Sequence, residues 1–270
     1  MSPRWRDEVD LYLAPRRVAL TRRARGRRAA VVATAEVTVP EAQAGDVGPA
    51  LARLAEVLAE PAWQDAAVRA VVADHPWLRY GVVPWPTARL DAAGRLEHAR
   101  FVLGDACGEP LADWTLLLAD APPGQPAVAC AMPPALRPGL EAVLAPARLA
   151  LVSLQPRLVV AFNAWRHRLP VGDAWFVSAE DGALAAVHLR GGAWSQVHLA
   201  RLSSDWVVDL ERLRAFARLT RSHGAPGQLF VDAPAWMRRA DAGAGIEWLD
   251  DGTGDGAQAH ELALLRRVGT

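Results

Sequence analysis

The sequence predicts an α/β protein of two lobes, each a mixed sheet with a three-strand meander and flanking helices. Two observations predict it. The order strand, strand, strand, helix, strand, helix reads twice along the 270 residues. Between the copies, Pro126 to Arg168 reads as a strand (Ala127 to Ala131), a helix (about Ala135 to Leu144) and a second strand (Leu149 to Leu154), with a further helix opening at Pro156. Pro133, Pro134 and Pro156 fall at helix starts, where a missing N–H leaves no bond unmade. Apolar strands joined through a helix predict a parallel pair covered on both faces. The first lobe is expected over residues 1–155, with a small insert around 76–125, and the second over 156–270.

VDLYLAP, RRVALTRR and AAVVATAEVTVP make the first meander, with turns near Pro15 and Gly26. Val47, Leu51, Leu54, Val57 and Leu58 recur at helical spacing behind Asp46, a suitable N-cap. A buried strand, AVRAVVAD, stops at His75-Pro76, and WLRYGVVPWP reads as a loop rich in Pro and Trp. A helical stretch from about Arg89 to Asp105 and the strand DWTLLLAD complete the insert. The second meander is GDAWFVSAED, GALAAVHLR and GGAWSQVHLARL, turning at Asp181-Gly182 and Gly191-Gly192. An amphipathic helix (Asp209 to Arg221), the strand QLFVDAP, a short helix AWMRRADAG, the strand IEWLDD and the helix HELALLRRV follow.

Composition removes several function classes. Formal net charge is zero, so no electrostatic footprint for nucleic acid exists. All 30 basic residues are Arg and none is Lys. P-loop NTPases, protein kinases, Schiff-base and pyridoxal enzymes need a lysine that Arg replaces poorly. Cys107 and Cys130 have neither disulfide density nor metal spacing, which fits a reducing compartment, and Cys130 reads as core. The N-terminus lacks a signal-peptide apolar region, and no run reaches the ~18 apolar residues of a membrane span.

Candidate chemistry is sparse. Arg16, Arg17, Arg22, Arg23, Arg25, Arg27 and Arg28 crowd the first hairpin, to contact anionic lipid or an acidic partner, or simply to protect a sheet edge. Among the 11 Trp residues, Trp77, Trp85, Trp165 and Trp175 sit near loop or strand ends, where indoles anchor partners as well as fill cores. Trp85, stiffened by Pro84 and Pro86, is the first choice for an interface. His188, Ser195 and His198 lack a GxSxG elbow and an acidic third member, and read as cross-strand surface residues. DDGTGDG lacks the ligand pattern of a calcium loop, and HELALL is not a zinc-protease helix.

The doubled meander resembles the actin-like (ribonuclease H-like) fold of actin, sugar kinases and Hsp70. Within it the chain is similar to the assembly-platform proteins of type IV pili and type II secretion, PilM-like proteins and the cytoplasmic domain of the secretion L component. The likeness rests on VDLYLAPRRVAL, VVPWP, AVACAMPPALRPGLEAVLAPARLALVSLQPRLVVAFNAWR and GDAWFVSAEDGALAAVHLRGG. It implies a nucleotide site in which Asp10 is the first carboxylate, Asp173 the second, and Gln155 stands where an acidic residue is usual. That site departs from the pattern: LYLAPRR has no Gly and carries Pro15, while Trp175 and Phe176 replace small residues. Phosphates need close backbone N–H groups, so no cofactor is expected, with ATP and Mg²⁺ as the alternative. The resemblance further implies a non-catalytic, cytoplasmic scaffold, peripheral at the inner membrane. Such a scaffold binds the cytoplasmic segment of a single-pass inner-membrane assembly protein in a groove of the first lobe, with self-association open. An ATP-binding switch of the same fold is the rival, and a small-molecule kinase the weaker one.

Overall fold

The computed structural model describes residues 7–24, 30–40, 45–180, 182–203, 205–219, 228–238, 245–249 and 260–268. In chain order the strands are β1 (Asp7–Leu13), β2 (Arg17–Arg23), β3 (Val31–Thr38), β4 (Ala66–Val72), β5 (Arg79–Val83), β6 (Thr115–Leu118) and β7 (Ala127–Met132). They continue as β8 (Ala150–Pro156), β9 (Ala174–Glu180), β10 (Ala183–Arg190), β11 (Ala193–Arg201), β12 (Leu229–Asp232) and β13 (Ile246–Trp248). The helices are α1 (Gly48–Leu58), α2 (Ala92–Cys107), α3 (Leu136–Leu144), α4 (Arg157–Trp165), α5 (Trp206–Leu219) and α6 (His260–Val268).

Contacts divide the chain into two compact units. The first unit takes Met1–Trp77, Pro134–Ala164 and Asp255–Thr270; the second takes Leu78–Pro133 and Trp165–Gly254.

In the first unit the sheet order is β3-β2-β1-β4-β8. β1 and β2, and β2 and β3, pair antiparallel, whereas β4 lies parallel to both β1 and β8. Consecutive residues Val9 to Leu13 are all buried, so β1 is covered on both faces, as a central strand of an α/β sheet must be. α1 packs on α3, and α6 packs on β1, β2 and β4.

In the second unit the order β11-β10-β9-β12-β13 repeats the same succession. Its core gathers Trp175, Val177, Leu184, Leu210, Val231 and Met237. A separate sheet, β5-β7-β6, is covered by α2 through Val83, Ala99, Leu103, Leu116 and Ala131.

Several expectations are corrected. The strands at 127–131 and 149–154 do not pair with each other: β7 is antiparallel to β5 and β6, and β8 is parallel to β4. Both edges of β7 are thus taken, and α3 carries the chain to the free edge of β4. The segment read as a loop contains β5, whose apolar alternation is short and hidden between Pro and Trp residues. α1 begins at Gly48 with Val47 at the cap, while the Asp46 carboxylate accepts the Gly48 N–H at 2.8 Å. α5 starts at Trp206, and Asp209 instead accepts the Ser203 N–H at 2.7 Å. The short helix after QLFVDAP is one 3-10 turn, Ala235–Met237, and the DDGTGDG loop lies outside the described residues.

One contact ties β4 to α4. Asp74, just past β4 and 2 % exposed, accepts the Leu158 N–H at 2.9 Å, satisfying a donor of the first turn of α4 from 84 residues away. Replacing Asp74 by Ala leaves that buried donor unmade and is expected to cost about 1–3 kcal/mol in chemical unfolding. Asp74→Asn should lose less, because its amide oxygen still accepts.

Candidate functional site

Asp10 sits in the middle of β1, opposite Thr21 of β2 and Arg69 of β4. Arg23 lies two residues beyond Thr21, so the period of the strand brings it to the same face. Arg69 Nε and Nη2 donate to Asp10 Oδ1 at 3.0 and 2.7 Å, and Arg23 Nε donates to Oδ2 at 3.3 Å. Asp10 is wholly buried and the Arg23 side chain only 8 % exposed. Both carboxylate oxygens are therefore held by guanidinium groups of the same sheet, and one charge is shared between two of opposite sign.

The β1–β2 turn adds little for a phosphate. Ala14 N–H is spent on Arg17 C=O at 2.9 Å, and Pro15 has no donor. Gln155, near the end of β8, donates through Nε2 to Ser153 Oγ at 2.8 Å. Asp173 is exposed ahead of β9, and Trp175 and Phe176 are buried behind it. Asp10 and Gln155 belong to the first unit and Asp173 to the second.

The partner candidates separate. Trp77 is fully buried and presents no indole to a partner. Trp165 and Trp175 are core as well, Trp165 donating to Asp232 Oδ1 at 2.8 Å. Arg22 is engaged with Asp7 Oδ2 at 2.8 Å and with the Ala62 carbonyl at 2.5 Å, and Arg23 is buried on Asp10. Neither is a free surface cation, because alternation along β2 turns one into each face of the sheet. Arg16 lies at the opposite end of β2 from Arg22 and Arg23, so the arginines do not share one hairpin tip. Arg25, Arg27 and Arg28 lie outside the described residues.

Trp85 remains. It is half-buried beside a cleft of about 280 Å³ in the second unit, walled by Pro84 and Pro86, by Arg95, Leu96 and His98 of α2, and by the run from Leu116 to Ala121. The Arg95 guanidinium lies over the indole, 5.9 Å from its centre, and His98 Nε2 is buried without a hydrogen-bond partner. Arg95, His98 and the half-exposed Leu117 are additions that sequence reasoning missed. The run TLLL does not alternate, so nothing in it marks which leucine faces out.

His188 and His198 form an aromatic cluster with Trp175 and Phe216. The His188 ring stacks on Trp175 at 4.8 Å, and His198 meets Phe216 edge-on at 4.9 Å. Ser195 Oγ lies 2.9 Å from His188 Nδ1 and 3.0 Å from the His188 carbonyl. Burial lowers both imidazole pKa values, for His188 with added repulsion from Arg190 and His198 against weaker attraction from Asp173. These rings are neutral packing elements.

A group harder to protonate folded than unfolded contributes stability that is whole above its unfolded pKa of about 6.5 and is lost as pH falls below it. Thermal unfolding should therefore shift to lower temperature as pH drops below about 6.5, and His188→Gln together with His198→Gln should flatten that slope. An unchanged slope would remove both histidines from the explanation.

Removing Asp10 leaves a buried guanidinium uncompensated. Asp10→Ala is expected to cost about 3–5 kcal/mol in chemical unfolding, and Asp10→Leu with Arg23→Met should recover much of it. A loss under about 1 kcal/mol would mean that the pair carries little.

No protein-family model matches the chain. A curated relative, tetraacyldisaccharide 4'-kinase of Rhodospirillum centenum, is 33 % identical over 160 residues, 52 % of this chain and 46 % of that enzyme. The chain thus spans about half the length of the curated relative it matches. Among solved structures, a chain of a PilM-PilN type IV pilus biogenesis complex superposes with a TM-score of 0.60 at 19 % identity, over 83 % of this chain and 80 % of that one. The cytoplasmic domain of EpsL, an inner-membrane component of the type II secretion system of Vibrio cholerae, gives 0.58 at 10 % identity, over 97 % and 94 %. A Bacteroides thetaiotaomicron protein of actin-like ATPase fold and unknown function gives 0.55 at 10 % identity, over 85 % and 83 %. The fold is actin-like, shared with PilM and the EpsL domain, and the repeated sheet order of the two units is its signature.

Proposed function

We propose that this chain is a non-catalytic scaffold of a pilus or secretion assembly platform. In this reading it works on the cytoplasmic face of the inner membrane and holds the cytoplasmic segment of a single-pass partner. The observation that carries it is the capture of Asp10 by Arg23 and Arg69. A carboxylate with both oxygens on guanidinium groups, Arg23 buried and Arg69 partly exposed, is a poor holder of hydrated Mg²⁺. Likeness to PilM and the EpsL domain supports the platform role, and among the described residues no helix is long and apolar enough to cross a membrane. A kinase reading finds less support: the chain has no lysine and no glycine-rich phosphate loop ending in one.

Trp85 is the anchor in this reading, a half-exposed indole on rigid flanks beside a cleft. Truncation to Ala is expected to weaken binding of the cytoplasmic segments of single-pass proteins encoded beside this gene by about thirtyfold, ~2 kcal/mol, with little change in melting temperature. A stability loss of ~3–5 kcal/mol with unchanged binding would make Trp85 a core residue instead.

A further inference from the structure

Resting on the scaffold reading, we propose that the partner segment docks as an extended strand along the open edge of β6, with a basic residue near each end and one apolar side chain in the Trp85 cleft. In the sheet β5-β7-β6, β6 pairs with β7 alone among the described residues, while β5 on the far side packs against β11. The bond from Ala119 N–H to the Val128 carbonyl at 2.8 Å sets the phase of the ladder. With the register Leu116 to Ala131 and Leu118 to Ala129, the N–H and C=O groups of Leu116 and Leu118 point away from β7. Those groups are the template that strand addition uses.

The cleft reaches this strand from the end of the sheet, where Val83 of β5, Ala127 of β7 and residues of α2 also line it. Here Leu116, Leu117 and Leu118 line it in unbroken sequence, with the chain continuing through Ala119 and Asp120. Leu117 is 48 % exposed, and no proline or bulge interrupts the strand, while Arg100 Nη1 holds the Trp114 carbonyl just before it at 2.9 Å. Charge selects the occupant. Asp113 and Asp120 are exposed at the two ends of β6, while of the nearby cations Arg95 is turned onto Trp85 and Arg100 onto the Leu111, Ala112 and Trp114 carbonyls. An apolar segment with flanking arginine or lysine suits that edge. Cytoplasmic segments next to membrane spans carry such an excess of positive charge.

The test uses the full chain and a nine-residue peptide of alternating threonine and valine with arginine at each end. Two further peptides carry N-methyl groups on alternate amides, in one phase or the other. Strand addition predicts that methylation in one phase weakens binding by about tenfold or more, while the other phase is tolerated. Asp113→Asn with Asp120→Asn should weaken the parent peptide severalfold and reduce its salt dependence. Equal behaviour of the two methylated peptides overturns the proposal. So does a concentration-dependent dimer of the chain that the peptide dissociates, because the edge then belongs to a second copy. If the peptide binds with phase selectivity while the cytoplasmic segments do not bind at all, the scaffold reading falls and the edge site stands. If the segments bind without competition from the peptide, the edge site falls and the scaffold reading stands.

Discussion

A buried carboxylate between two guanidinium groups sets the character of the first unit. Taking Asp10 out of water is costly, and only its pairing with Arg23 and Arg69 makes it tolerable in the central strand of a sheet. The pairing fixes the register of β1 against β2 and β4, because a one-residue slip would carry Asp10 to the opposite face, away from both partners. The carboxylate whose position resembles that of a metal-holding residue is already neutralised from within its own sheet.

The second unit fills the corresponding region of its meander by other means. Trp175 of β9 is buried and stacks on His188 of β10, and Phe216 and His198 close around the pair. Neutral rings suit that packing, and burial keeps the imidazoles from protonating readily. What is left open lies in the small sheet. Its edge strand β6, paired with β7 alone among the described residues, and the Trp85 cleft bring exposed apolar surface next to outward-facing backbone groups.

Local signals made much of the fold legible. Both meanders, the proline-marked starts of α3 and α4, and the apolar periodicity of α1 lie within short windows of sequence. What escaped was non-local. β5 owes its existence to pairing with β7 some fifty residues later, and Gly81 with the flanking prolines hides its alternation. The pairing of the strands on either side of α3 misled for the same reason, since no local feature says that both edges of β7 are occupied. Asp10 was visible as a candidate, but its partners lie 13 and 59 residues away, so its neutralisation was not. Arg22 and Arg23 looked like surface charge until alternation placed them on opposite faces, each against an acid. Trp85 was legible because two prolines mark a stiff, exposed segment, whereas Leu117 was hidden in a run of leucines.

Calorimetric titration of Mg–ATP into the full chain, beside Asp10→Ala, tests the central claim most directly. If Asp10 is committed to Arg23 and Arg69, the full chain gives no binding heat. A dissociation constant in the low micromolar range, abolished in an Asp10→Ala variant that circular dichroism shows to be folded, would contradict that commitment and make the chain a nucleotide-dependent switch.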